Sequence, residues 1–269
     1  MAPLVALMIA MPSTPPAGFH ARLDKVLDVY VRDGYVYYRA LKSERNVLDP
    51  YVQSLDVPAA TVAAWPTHTR LAFWINAYNA LVLESVIDKY PIKAVGESYP
   101  AKSIQQIPGV FTAKTHRVAG QSLTLDGIEK IVVGFGDARA VLALCRGAIG
   151  SPRLKSAAYD ADSAERLNEQ LDQAVKDFVT HTRSLKVDRA ANALVVSPLF
   201  GWQQAAFIAS FATAGARYVN RTPLEQAIAG MAAPFLFPSE REFLQQNTFQ
   251  LTYGAFDWRL NDLTGGIPN

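Results

Sequence analysis

From residue 18 onward, the apolar positions of this 269-residue chain fall into stretches of helical and of strand period. Phe19, Leu23, Val26, Leu27 and Tyr30 recur three and four apart, the spacing of one helix face, and predict a helix over 18–31. Asp33-Gly34 marks a turn into Tyr35-Val36-Tyr37-Tyr38, whose aromatic and β-branched side chains predict a strand. A second helix is expected over 43–55. Residues 67–90, stopped by Pro91, are the strongest helical stretch; they are apolar nearly all round, which sets this helix at the centre of the fold. Alternation over 110–120, with Ala119-Gly120 at its end, predicts a strand or short hairpin. Thr124 suits the cap of a short helix reaching Val133, with Asp126 in the first turn, where the dipole favours an anion. Residues 140–144 predict a short buried strand, 163–183 an amphipathic helix and 185–196 a hairpin about Arg189-Ala-Ala-Asn192. Helices over 202–214, 223–231 and 239–246 and a last strand over 249–253 complete the pattern.

Short strands scattered among dominant helices, without regular alternation, argue for α+β. The expected architecture is one mostly helical domain over 19–269 around a central buried helix, with a small, mainly antiparallel sheet. No internal repeat and no linker follow Gly18. Residues 1–18 read differently: the apolar run 4–11, then Pro, Ser, Thr and Ala17, resembles the core and cleavage region of a secretory leader, although no Lys or Arg precedes it. The expected location is periplasmic or secreted; the alternative is a cytoplasmic protein with an unstructured N-terminus. The closing TGGIPN is expected to be a loose tail.

Composition narrows the function classes. Hydrophobic residues make up 50% and charged residues 19%, and the mean hydropathy of +0.06 excludes a disordered chain. No apolar run reaches the roughly 18 residues of a membrane span, so no transmembrane segment is expected. A chain of this length builds a core without a disulfide or structural metal. Cys145 is the single cysteine, which excludes a disulfide framework and a zinc site of paired Cys. His20, His68, His116 and His181 are far apart, with no HExxH or HxH spacing, so neither a metal nor another cofactor is expected. A net charge of +2 without a basic stripe gives no reason to expect nucleic acid.

The central helix carries Phe73-Trp74-Ile75-Asn76-Ala77-Tyr78-Asn79-Ala80-Leu81. Asn76 and Asn79, three apart, share one face of an otherwise apolar helix. A buried amide without a partner costs about 1–3 kcal/mol, so both must be paired. Either they tie the helix to a neighbouring loop, or they floor a polar cleft and orient a ligand.

The segment FWINAYNALVLESVIDKYP resembles the signature of the DUF547 family, domains of unknown function. Other segments resemble the same family in order: Asp33 to Tyr38 its opening strand, Ser122 to Glu129 its short helix ending in Ile-Glu, Asp137-Ala-Arg139 through Ala143-Leu144 its Asp-x-Arg and Ala-Leu run, and Phe256-Asp257-Trp258-Arg-Leu260-Asn261 its closing motif. The departures bear on chemistry. Lys130 stands where the family has His after Ile-Glu, and Val141 where another His is common. Arg146 and Ser151 occupy the two usual Cys places, and Cys145 is one residue out of register. In typical members, Cys, His and Glu at these points suggest a thiol nucleophile, its base and an orienting carboxylate; here the Cys and both His positions are exchanged.

The framework that remains implies a cleft protein, non-catalytic or of altered activity, binding a small molecule or peptide. Its candidate ligand-binding residues are Asn76, Asn79, Tyr78, Arg139, Cys145, Arg146 and Asp257. One alternative is a hydrolase or acyl transferase in which Ser151 replaces the family Cys, with Glu129 and Lys130 as the other catalytic candidates, because a desolvated Lys is a usable base. A further alternative is a protein-interaction module using the helix over 163–183, although its charges read more simply as a solvated face. Glu129 is expected to pair with Arg139 or Arg146, and Cys145 to be a small core residue. His116, between Lys114 and Arg117, is expected to face solvent.

Overall fold

The computed structural model describes residues 14–263; the apolar run 4–11 and the tail 264–269 lie outside them. The chain opens with α1 (Ala21–Tyr30) and a two-residue hairpin of β1 (Val31–Arg32) and β2 (Tyr35–Val36). Asp33 and Gly34 both sit at positive φ, as the type I′ turn of such a hairpin requires. The expected strand ends early because Tyr38 already begins α2 (Tyr38–Ser43). The helix expected over 43–55 is interrupted too: a 3-10 turn, Arg45–Val47, precedes α3 (Asp49–Ser54), whose first turn holds Pro50. A short α4 (Ala59–Ala63) follows, which the apolar pattern does not announce.

Next comes α5 (Thr67–Lys89), with 17 of its 23 residues buried, packed against α2 and α3 and against α6 (Leu125–Val133). The strand or short hairpin expected over 110–120 forms farther along, as β3 (Thr115–Val118) paired with β4 (Gln121–Thr124), and Thr124 caps α6 by accepting the Gly127 N–H. His116 is a correction. In β3 it alternates inward with Val118, is buried, and places Nδ1 3.3 Å from Glu84 Oε2, while Thr115 and Arg117 face out. The run 140–144 also departs from expectation: it is buried, but as the 3-10 helix Ala138–Ala143. An apolar run surrounded on every side carries no period that separates strand from helix.

The second half contains α7 (Ala164–Val179), capped by Ser163, and the hairpin of β5 (Leu185–Asp188) and β6 (Ala193–Val196). It continues with α8 (Leu199–Trp202), α9 (Gln204–Phe211), α10 (Pro223–Ala232), α11 (Pro238–Gln246) and β7 (Gln250–Tyr253), which pairs parallel to β6. The described residues are thus mostly helical, with three small and mainly antiparallel sheets rather than one: an α+β fold. None of their helices is long and apolar enough to cross a membrane.

Two apolar clusters form the core. One gathers α1 to α6 around α5, and the other gathers the β5–β6–β7 sheet and α8 to α11. They share two elements. In α7, Leu167 and Leu171 serve the first cluster while Ala174, Val175, Phe178 and Val179 serve the second. The 3-10 helix divides likewise, with Ala140 and Ala143 on one side and Ala138, Val141 and Leu142 on the other.

Candidate functional site

A cleft of about 620 Å³ opens where α6, the loop over 99–112, the end of α8 and the C-terminal segment meet. Its floor is an ion pair. Glu129, only 4% exposed, receives Arg146 Nη2 at 2.5 Å on both carboxylate oxygens and Gln203 Nε2 at 2.6 Å on Oε1. Burial pushes the Glu129 carboxyl above its ordinary range, and the adjacent guanidinium pulls it back toward ionisation. Arg146 spends one nitrogen on this pair, and its Nε and Nη1 engage no side chain or backbone group among the described residues. Its guanidinium lies 5.8 Å from the ring of Phe111 and 5.7 Å from that of Trp202, within cation–π range.

The walls are aromatic. Trp202 stacks near Trp258, with ring centres 6.0 Å apart and planes 21° from parallel; Tyr99 meets Trp258 edge-on at 5.8 Å and Phe111 lies 6.3 Å from it. Trp202 remains 46% exposed; Asp126 and Lys130 also line the cleft, and neither forms an ion pair among the described residues.

Local structure explains this assembly. Asn79 accepts the Cys145 N–H on Oδ1 and donates to the Ala143 carbonyl, so the central helix fixes the strand of chain that carries Arg146. Asn76 does the same for Tyr159, accepting its N–H and donating to its carbonyl. The buried Gln106 side chain holds the loop bearing Tyr99, accepting from the Val95 and Gly96 N–H groups and donating to the Tyr99 carbonyl. Trp258 is delivered by a clasp at the end of the chain. Ile149 and Gly150 N–H groups donate to the Arg259 and Asp257 carbonyls, and Asn261 joins the Tyr38 hydroxyl to the Gly34 carbonyl.

Of the residues nominated from sequence, Glu129, Lys130 and Arg146 meet at this cleft, while Asn76, Asn79 and Tyr78 are buried in α5 and do not line it. The Tyr78 hydroxyl is buried without a hydrogen-bond partner, close enough to feel Arg146 and Glu129 electrostatically. Cys145 is buried, with its thiol pushed up to about 11 by that burial, and lines none of the described cavities. Arg139 is elsewhere, held by Asp137 and Asp172, and Asp257 pairs with Arg259 at a different surface. Ser151 accepts the Arg146 N–H at 3.1 Å and faces a second cavity with His181; no hydrogen bond joins it to Lys130 or to any His. Phe111, Trp202, Gln203 and Trp258 were not nominated from sequence, because nothing in an isolated aromatic or amide position distinguishes a cleft wall from a core.

Fold and site define an α+β protein with an aromatic-walled cleft over a buried ion pair. Residues 62–179 match the family described as "Protein of unknown function, DUF547", so the chain carries a DUF547 domain over that stretch. No curated protein and no solved structure matches the chain. The match supplies α5, α6 and Arg146. Trp202, Gln203 and Trp258 come from outside it.

Proposed function

We propose that this protein is a binding protein whose ligand, a small molecule or short peptide, seats in the Glu129–Arg146 cleft. The observation that carries this reading is the half-used arginine: one nitrogen of Arg146 is neutralised by a buried carboxylate, and its remaining donors adjoin an open, aromatic-walled space. Such a floor favours a ligand of no net charge, with a carbonyl or hydroxyl for Arg146 and a flat apolar face for Trp202 and Trp258. Few convergent polar groups among apolar walls is the usual make-up of a ligand pocket. The test is a screen of neutral metabolites and dipeptides by quenching of tryptophan fluorescence. A ligand of this cleft loses about tenfold or more in affinity in Trp202→Ala and is indifferent to Ser151→Ala. A screen whose hits all ignore Trp202→Ala removes the reading.

A further inference from the structure

The second cavity, about 180 Å³, lies on the other side of the Arg146–Ser151 loop and is lined by Ser151, Arg153, His181, Arg183, Ser184 and Asn261, among others. Two carboxylates, Asp33 and Asp177, line it as well, and the remaining polar side chains include several donors. His181 Nδ1 accepts the Arg183 N–H at 3.2 Å, which assigns the ring proton to Nε2 and makes that nitrogen a donor. Ser151 Oγ already accepts the Arg146 N–H, which leaves its hydroxyl proton to give. Ser184 is buried and also lines the cavity. Neither Arg153 nor Arg183 forms an ion pair among the described residues.

The acidic groups nearby are for the most part occupied. Asp177 is bound by Lys155 and by Gln173 Nε2, and Asp257, which feels Arg183 at longer range, is bound by Arg259. Asp33 remains, exposed on the turn that forms the mouth. Burial first, then the fields of Arg153 and Arg183, lower the His181 pKa.

We propose that this cavity is a phosphate-binding site, in which Arg153 and Arg183 supply charge and Ser151, Ser184 and His181 Nε2 supply directed hydrogen bonds to the oxygens. A tetrahedral oxyanion accepts from several directions at once, which suits donors drawn from separate stretches of chain around one cavity, whereas a carboxylate presents only two oxygens in one plane. The space exceeds a bare phosphate and leaves room for a small ester substituent. The site is separate from the Trp202 cleft and does not depend on its occupant.

The test follows the His181 side-chain nitrogens by NMR in the full chain at neutral pH, with the resonance assigned through His181→Asn. Inorganic phosphate is titrated at ionic strength held constant with chloride. The expected result is a saturable shift that weakens about tenfold or more in Arg153→Gln/Arg183→Gln and is unchanged in Trp202→Ala. Phenyl phosphate then separates the two sources of the group: tighter binding than inorganic phosphate identifies an ester ligand, and equal or weaker binding identifies the free ion. A shift that never saturates, or one of equal affinity in the double-arginine variant with its circular dichroism intact, reduces the site to general ionic screening and overturns the proposal.

Discussion

Glu129 carries a charge into a place nearly closed to water, and it does so together with its partner. Removing one member of such a pair leaves the other buried and uncompensated, which costs about 3–5 kcal/mol; replacing both by apolar groups avoids that penalty. Glu129→Ala is therefore expected to lower the urea midpoint sharply, and Glu129→Ala/Arg146→Met to recover much of the loss. Equal midpoints for the two variants would show that the pair is not energetically coupled. His20 makes a second prediction. Burial holds its pKa near 4 against an ordinary 6.5, with Asp160 partly opposing, and Nδ1 is paired with the Tyr51 hydroxyl at 2.7 Å. The unfolded chain takes up the proton first as pH falls. The contribution of His20 is thus complete above about pH 6.5, is lost between there and about 4, and amounts at most to about 3 kcal/mol. Urea midpoints measured from pH 7.5 down to 4.5 should fall, and His20→Gln should flatten that slope. At this scale the sequence told which side chains carry charge or an amide and not whom they meet: Glu129 had two candidate arginines, and the choice of Arg146 rests on Asn79 fixing the backbone beside it.

Elements with a clear period were legible. The long apolar stretch became α5 almost to the residue, the Thr124 cap and the Asp33-Gly34 turn hold, and the charges of α7 face water while its Leu, Val and Phe positions are buried. The misses fall where the period is weak. The 140–144 run is hidden on all sides, and His116 was judged from its charged neighbours although strand alternation sends those the opposite way. Close approaches between elements leave equally little trace in sequence. A Cβ on Gly215, in the 3-10 helix Thr213–Gly215 before α10, would fall 1.8 Å from the Gln226 carbonyl oxygen, so the two elements touch backbone to backbone. Gly215→Ala should cost about 1–3 kcal/mol or more through overpacking, read as a lower denaturation midpoint. Gly96→Ala, whose added carbon meets nothing within 4 Å, serves as the neutral control. A similar midpoint for both would mean that α10 shifts without penalty.

For the molecule as a whole, two apolar clusters share α7 and the 3-10 helix Ala138–Ala143, and the cleft lies where their surfaces meet. The DUF547 match covers the part of the chain that supplies Tyr99, Phe111, Glu129, Lys130 and Arg146; the end of α8 and the C-terminal clasp complete the walls with Trp202, Gln203 and Trp258. The sequence by itself determined the α+β class and the buried central helix, because period and residue type are local properties of a chain. Only the tertiary structure decided that Arg146 answers Glu129, that Ser151 turns to a different cavity from Lys130, and that tryptophans 56 positions apart form one wall. Those outcomes depend on how long-range packing closes the chain, and no local pattern encodes which distant surfaces will meet.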